Sequence, residues 1–237
     1  LHFADGDIIN TSGPTMIFYE NEMFEGAEDI NAVHVLANGN ILLSTNGDAQ
    51  FTATHGGLVF KNGDIVEYNI STGIAGLYYE EDGFGTNLNI DAFSVLSNGH
   101  FVLSTNSDET LGGTLYKNGD LVEYDPTDGT ASRFFSESLF GGANANIDAV
   151  HVLPNGDIVL STEEDGLTLG GLTFKDGDLV LYHPELGTAE MFFAESNFSV
   201  EYDVNIDGVH VVPLPASIWL FSSAMLGLVG IARRKKA

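Results

Sequence analysis

The sequence predicts an all-β protein assembled from repeated four-stranded antiparallel units. Three observations support this fold class: a segment that recurs at a nearly constant interval, apolar runs rich in β-branched residues, and Asn-Gly or Asp-Gly pairs between those runs. The recurring segment begins at Ile30, Ile90, Ile147 and, in shortened form, at Ile206, so the copies lie 60, 57 and 59 residues apart. An interval of this length accommodates four short strands and indicates an array.

The first half of each unit is predicted to be a β-hairpin, whose strands we call a and b. In the third copy, residues 150–153 and 158–160 are apolar and flank Asn155-Gly156, a pair suited to a tight turn. Because the runs are apolar almost throughout, we expect both faces of this part of the sheet to be covered.

The second half of each unit is predicted to hold a second hairpin and a last strand. Residues 171–174 and 179–182 flank the turn 175–178, and the other copies have the same pattern at 57–68 and 113–124. We expect Asn62-Gly63, Asn118-Gly119 and Asp176-Gly177 to form these turns. The last strands end in aromatic pairs that we interpret as core: Phe18-Tyr19, Tyr78-Tyr79, Phe134-Phe135 and Phe192-Phe193.

A repeated four-stranded meander with an apolar inner pair is typical of a β-propeller blade, and we predict a propeller-like domain over residues 1–211. Its parts are a partial unit 1–29, units 30–89, 90–146 and 147–205, and a closing strand 206–211. The partial unit supplies strands c and d, with which the closing strand could complete a sheet. We expect an N-terminal truncation, and a β-solenoid or an open row of sheets is the structural alternative.

Charge restricts the partners of this domain. The chain has 34 acidic and 8 basic residues, and four of the basic ones, Arg233, Arg234, Lys235 and Lys236, lie at its end, so residues 1–232 carry a net charge of −30. Such a body repels phosphate backbones, which argues against nucleic-acid binding and is compatible with cations or neutral glycans. With no cysteine, disulfides and thiolate metal sites are excluded.

The candidate site residues enter strand a. The shared position Asn31, Asp91, Asp148 and Asp207 would surround the channel mouth if strand a is innermost, and a ring of oxygen ligands suits calcium. The interpretation that we favour is that these side chains cap turns and bond backbone groups of the adjacent unit.

A second shared position holds histidine in three copies, His34, His151 and His210, and Ser94 in the other. Three converging imidazoles could hold a transition metal or act as acid and base. Because the position shares a strand face with Ala149, we expect packed, hydrogen-bonded histidines instead.

The composition changes after residue 211. Residues 216–232 carry no formal charge and would span about 25 Å as a helix, so we predict a transmembrane helix with the basic cluster on the cytoplasmic side. Residues 212–237 resemble a PEP-CTERM sorting signal in its VPLPA variant, through the motif, the short helix and the basic end. The motif residues are Val212, Pro213, Leu214, Pro215 and Ala216, followed by Arg233 to Lys236.

The resemblance implies export across the inner membrane, membrane anchoring by the helix, processing by exosortase, and a final location at the cell surface or outside the cell. The function predicted is therefore that of a non-catalytic surface or matrix protein associated with exopolysaccharide. The alternative is a metal-dependent propeller hydrolase or lyase that acts on extracellular glycans or lactones. The would-be site residues differ little between copies, whereas propeller enzymes need different residues in different roles, and this favours the non-catalytic interpretation.

Overall fold

The structure is a computed structural model and describes residues 7–10, 15–18, 20–198 and 205–212. The described residues form an all-β chain with one short α-helix, α1 (Glu20–Met23). The strands before and in the first unit are β1 (Ile8–Asn10), β2 (Thr15–Phe18), β3 (Ile30–Val35), β4 (Ile41–Thr45), β5 (Ala49–Gln50), β6 (Val59–Phe60), β7 (Ile65–Asn69) and β8 (Ile74–Tyr79).

The second and third units repeat this order. The strands of the second unit are β9 (Ile90–Val95), β10 (Phe101–Thr105), β11 (Glu109–Leu111), β12 (Thr114–Tyr116), β13 (Leu121–Tyr124) and β14 (Ala131–Phe135). Those of the third are β15 (Ala149–Val152), β16 (Ile158–Ser161), β17 (Leu167–Leu169), β18 (Leu172–Phe174), β19 (Leu179–His183) and β20 (Thr188–Phe193). Short 3-10 helices lie at Ala53–His55, Glu81–Phe84, Glu137–Phe140 and Glu195–Asn197.

Each unit contributes one four-stranded antiparallel sheet, as predicted. The strand orders are β3-β4-β7-β8, β9-β10-β13-β14 and β15-β16-β19-β20, so strand a always forms one edge. The a–b hairpins turn at Gly39, Gly99 and Gly156, whose φ angles of 87°, 86° and 87° are those that glycine adopts without strain. The first hairpin of each unit is therefore confirmed.

The predicted second hairpin is wrong. Strand β18 pairs with β17 in a separate two-stranded ribbon, with Leu167 opposite Phe174, and does not pair with β19. The same ribbon forms between β11 and β12 and between β5 and β6. Strand c of each four-stranded sheet is therefore β7, β13 or β19, and strand d is the strand that ends in the aromatic pair.

Glycine in the turn before strand c has a different role from the one predicted. Gly119 is absent from the glycines with positive φ, but a Cβ added there would lie 2.5 Å from the carbonyl oxygen of Ala145 and 2.7 Å from the Glu137 side chain. Gly63 is similarly crowded by Leu88. These glycines are required because the loop that leads to the next unit passes too close for a side chain. They are not required by the positive φ of a hairpin turn.

The adjacent aspartate fixes this turn. Asp120 Oδ2 accepts a hydrogen bond from the backbone N–H of Lys117 at 2.9 Å, and its Oδ1 accepts one from Glu137 N–H at 2.9 Å. Asp64 and Asp178 make the equivalent pairs of bonds in the other units. All three carboxylates are buried, so this repeated aspartate ties strand c to the 3-10 helix after strand d.

Hydrophobic clusters lie between consecutive sheets. One cluster joins Ala92 and Val102 of the second unit to Val150 and Leu160 of the third, and another joins Leu42 of the first unit to the second. Strands β4 and β10 are buried along their full length. The sheets therefore pack face to face in a propeller-like row, which explains why strands a and b are apolar on both sides.

The aromatic pairs are only half core, in contrast to the prediction. Phe135 is buried, and Tyr79 packs edge-to-face on Phe101 at a ring distance of 5.2 Å. The first ring of each pair is more exposed, because consecutive strand residues point to opposite faces. Tyr78 is 40% exposed and Phe192 is 44% exposed. The side chains of the Phe18-Tyr19 pair lie outside the described residues.

The N-terminal strands and the closing segment fit the array in part. Strands β1 and β2 pair antiparallel and correspond in sequence to β7 and β8 of the first unit, whereas residues 1–6 of the predicted partial unit lie outside the described residues. Residues 205–212 have no strand assignment, so the described part of the chain has no closing strand at 206–211 hydrogen-bonded to β1 or β2. The segment nevertheless occupies the strand a place, because Val209 clusters with Ala149 and Val159, and Gly208 lies against Val33.

Candidate functional site

The candidate site lies where the first strands of the units meet. Strand β9 packs beside β3 on one side and β15 on the other, and β3 also contacts β15. Residues 205–212 fill the remaining place between β15 and β3. We call β3, β9, β15 and residues 205–212 the inner segments, and the line that they surround the axis. Equivalent residues of the four copies are thereby brought together.

The predicted oxygen ring lies on these inner segments. Asn31, Asp91 and Asp148 are 4%, 9% and 4% exposed, and Asp207 is half-buried. Asn146 Nδ2 donates to Asp91 Oδ2 at 2.7 Å. Asp91 is therefore bonded to the asparagine that comes two residues before Asp148, the ring position of the third unit.

The first and second units are linked in the same way, because Asn31 Nδ2 donates to Asn89 Oδ1 at 3.3 Å. Asn89 Nδ2 in turn donates to Asn46 Oδ1 at 3.0 Å. The favoured interpretation is that these side chains bond backbone groups of the adjacent unit. Asn89 Nδ2 does donate to the backbone oxygen of Asn46 at 3.3 Å, whereas the Asn31–Asn89 and Asn146–Asp91 links join side chains. The asparagine links join neighbouring units near the axis.

Asp148 differs from the other ring members. It is 4% exposed, and within the described residues neither of its carboxylate oxygens has a hydrogen-bond partner. Burial raises the pKa of Asp148 well above its usual range, and the neighbouring Asp207 and Asp91 raise it further. The Asn205 amide lies near enough to lower that pKa slightly, but it does not reach hydrogen-bond geometry with either oxygen.

Asp91 is in a related environment. Burial raises the pKa of Asp91 to about 6, opposed by the Asn146 hydrogen bond and reinforced by Glu163, Asp29 and Glu164. The ring is therefore a cluster of carboxyl groups whose charged forms are disfavoured by burial, and within the described residues both oxygens of Asp148 lack a donor. A divalent cation with oxygen ligands would supply the missing positive charge.

Two acidic residues of this neighbourhood were missed by the sequence reasoning. Glu164 Oε2 accepts the backbone N–H of Asn146 at 2.8 Å, and Glu163 Oε2 accepts its Nδ2 at 3.0 Å. They belong to the loop after strand b. The only available signal was that the third unit has consecutive glutamates there, whereas the others have fewer acids at the same place.

The three histidines converge on the axis. His34, His151 and His210 each offer one ring nitrogen, and these nitrogens lie within 4.8 Å of one another. The ring centroids are 5.8 Å apart for His34 and His151, 4.6 Å for His34 and His210, and 4.4 Å for His151 and His210. The histidines pack on one another, but the predicted hydrogen bond is present only at His34, whose Nδ1 accepts the Val95 N–H; the Nδ1 atoms of His151 and His210 have no partner within the described residues.

Burial makes these imidazoles poor proton acceptors. It lowers the pKa of His34 to about 4 and that of His210 to about 4. It also lowers the pKa of His151 to about 3, reinforced by the two other rings. At neutral pH all three are therefore uncharged, each with one ring nitrogen that carries a lone pair.

Most residues of the predicted sorting signal lie outside the described residues. Val212 is described and is 66% exposed. Pro213, Leu214, Pro215, Ala216 and the basic end, residues 233–236, lie outside the described residues, as does the predicted transmembrane segment. In the ranges that are described, no helix has both the length and the apolar character that a bilayer crossing requires.

Comparisons with known proteins identify no family. No family model matches the chain, and no curated protein matches it. Among solved structures, virginiamycin B lyase from Staphylococcus aureus is 12% identical with a TM-score of 0.33, over 69% of this chain and 41% of the lyase. A protein of unknown function from Bacteroides caccae is 14% identical with a TM-score of 0.36, over 79% of this chain and 68% of that protein.

A third similar structure is an auxiliary nutrient binding protein from Bacteroides ovatus, which is 14% identical with a TM-score of 0.33. The match covers 68% of this chain and 30% of that protein, and the chain spans less than half of the lyase as well. Likenesses this distant carry no information about activity or ligand. The function therefore has to be argued from the inner segments of this chain.

Proposed function

We propose that this chain is an exported, non-catalytic protein of the cell surface or extracellular matrix whose acidic body binds a hard divalent cation, calcium by preference, at the inner ring. The observation that carries the proposal is Asp148, a carboxylate that is 4% exposed and has no hydrogen-bond partner for either oxygen within the described residues. A buried ionised carboxylate without a donor is strongly unfavourable, and a bound cation removes that penalty.

The surrounding groups suit calcium better than a softer metal. Asp91 and Asp207 are close enough to Asp148 to raise its pKa, and Asn31 and Asn146 each have an amide oxygen without a partner among the described residues. Carboxylate and amide oxygens are the ligands that calcium prefers, whereas zinc and copper favour nitrogen and sulfur. The ring would then join neighbouring units through one ion.

A binding role fits the inner segments better than catalysis. Catalysis on a repeat scaffold needs a nucleophile or base that differs from its counterparts in the other units. The ring position is aspartate or asparagine in every copy, and the second shared position is histidine in every copy but one. The similarity of the copies therefore favours a structural ion and, on the outer acidic surface, binding of cations or exopolysaccharide.

Export belongs to the same proposal. Residues 212–216 and 233–236 resemble the PEP-CTERM signal, which implies that a membrane-bound intermediate is processed by exosortase. Expression of the full precursor in an exosortase-containing Gram-negative host should give a surface or released form that lacks residues 213–237. Retention of the intact tail in the membrane of that host, or a cytoplasmic location, would contradict this part of the proposal.

The cation is tested by calcium titration with thermal melting of the full chain. At a free calcium concentration one hundred times Kd, binding stabilises the folded state by about 2.7 kcal/mol, which corresponds to roughly 5–11 °C in Tm for a domain of this size. Asp148→Asn should lose this response. Asp82→Asn is the matched control, because Asp82 is an exposed acid paired with Lys61 away from the axis.

Two outcomes would overturn the proposed cation site. Calcium could leave the Tm of the wild-type chain unchanged, or it could stabilise the Asp148→Asn and Asp82→Asn variants as much as the wild type. In the latter case the response would arise from the general negative charge of the surface.

A further inference from the structure

We propose that His151 and His210, joined by His34, form a second site on the axis that binds one transition-metal ion of the zinc, nickel or cobalt type. This site is separate from the carboxylate ring, because its ligands are imidazole nitrogens and it occupies the other shared position of the inner segments. It does not depend on calcium binding or on export.

The geometry is that of an open three-nitrogen site. The three ligand nitrogens lie within 4.8 Å of one another and come from three different inner segments. A tetrahedral zinc-type ion with bonds of about 2.0–2.1 Å holds its nitrogens about 3.4 Å apart, so the separations between the ligand nitrogens have to shorten by up to about 1.4 Å. Ser94 stands at the fourth equivalent position, so the fourth ligand would be water or the serine hydroxyl.

In two of the copies, the side chain at the shared histidine or serine position has a structural role, which is to accept a backbone hydrogen bond. Ser94 Oγ accepts the backbone N–H of Val152 at 3.2 Å, and His34 Nδ1 accepts that of Val95 at 3.3 Å. In both, the side chain takes a hydrogen bond from the next inner strand. A serine is sufficient for this task, so packing between units does not by itself require histidine.

His151 and His210 do not perform that task. The Nδ1 atom of each is buried and has no hydrogen-bond partner within the described residues. A buried imidazole nitrogen without a partner is unfavourable, and coordination of a metal ion by the ring is one way to compensate for it. Both rings are uncharged at neutral pH, which is the form that binds metals.

One contact opposes the site and has to be released. Because His34 Nδ1 accepts the Val95 N–H, the neutral ring carries its proton on Nε2, where it has no lone pair for a metal. His34 can become a ligand only if it gives up this single long hydrogen bond and moves its proton to Nδ1. We therefore assign His151 and His210 as the principal ligands and His34 as the one that completes the site.

The test uses the full chain, freed of any affinity tag, with Zn²⁺ and Co²⁺ as probes. We expect one ion per chain by elemental analysis and a visible Co²⁺ absorption typical of nitrogen ligands in tetrahedral geometry. His151→Ser should weaken Zn²⁺ binding at least tenfold, and serine is a conservative choice because Ser94 already occupies the equivalent position. His55→Ser is the matched control, since His55 Nδ1 bonds the Gly73 carbonyl away from the axis.

A gain-of-ligand variant makes the test independent of any loss of folding. Ser94→His would place a fourth imidazole at the same level and should raise the affinity for Zn²⁺ at least tenfold. Asp148→Asn should leave Zn²⁺ binding unchanged, which separates this site from the calcium ring. The inference is overturned if the wild type binds no stoichiometric Zn²⁺, if His55→Ser weakens binding as much as His151→Ser, or if Ser94→His has no effect.

Discussion

Replacing Asp91 by asparagine isolates the electrostatic cost of the ring. Asp91 is 9% exposed, and burial with its acidic neighbours raises its pKa from 3.8 to about 6. A difference of that size corresponds to roughly 3 kcal/mol between the folded and unfolded states. Asparagine has a similar shape, keeps an oxygen for the Asn146 hydrogen bond and already stands at the same position as Asn31, so the substitution removes charge with little else.

The sign of the pH dependence follows from the raised pKa. The folded state retains the Asp91 proton more strongly than the unfolded state, so the stability that Asp91 contributes is fully present below pH 3.8 and is lost as pH rises through about 6. The asparagine variant has no such loss. In EDTA at pH 8 we therefore expect Asp91→Asn to be more stable than the wild type by roughly 3 kcal/mol, and the difference should largely vanish near pH 4.

The assay is urea unfolding of both chains at pH 4, 6 and 8 in EDTA, repeated at pH 8 with calcium. Calcium should narrow this difference, because the wild type gains binding energy that the variant has partly lost. Equal stability of the two chains at pH 8 in EDTA would refute the electrostatic reasoning. A stability difference that does not change with pH would refute it as well.

Two further substitutions test the links between units. Asn146→Ala removes a buried donor to Asp91. Because that carboxylate loses its partner, the variant should be destabilised by about 2–4 kcal/mol in urea unfolding. A loss below about 0.5 kcal/mol would show that the link is dispensable. Gly119→Ala places a Cβ 2.5 Å from the Ala145 carbonyl and should cost about 1–3 kcal/mol, whereas Gly76→Ala, with open space around it, should be within about 1 kcal/mol of the wild type by thermal melting. Similar losses at both glycines would contradict the close-approach argument.

The repeat and its first hairpin could be predicted because their causes are local. Asn-Gly between two apolar β-branched runs determines a turn within a few residues, and Gly39, Gly99 and Gly156 have the φ angles that such turns require. The convergence of His34 and His151 also follows from the repeat, since equivalent residues of closely packed units must lie near one another.

The absence of the second hairpin could not be predicted, because the glycine in its supposed turn is required by a contact with a distant part of the chain. In the sequence, Gly119 has the pattern of a turn residue. In the structure, glycine is required there because any Cβ would collide with the Ala145 carbonyl oxygen in the loop to the next unit. The pairing of β18 with β17 could not be predicted either, because β17 has only three residues and is too short to show a strand pattern. Likewise, the lack of hydrogen-bond partners at Asp148 is a property of the assembled ring and has no counterpart in the local sequence.

The most direct test of the central claim, that the inner segments form ion sites, is a high-resolution crystal structure of the chain grown with calcium. We expect an ion bound by Asp148 together with ring oxygens at about 2.3–2.6 Å, with about six to eight ligands in total. A structure in which Asp148 is instead protonated and hydrogen-bonded to a neighbouring group, with no ion beside it at millimolar calcium, would contradict the account.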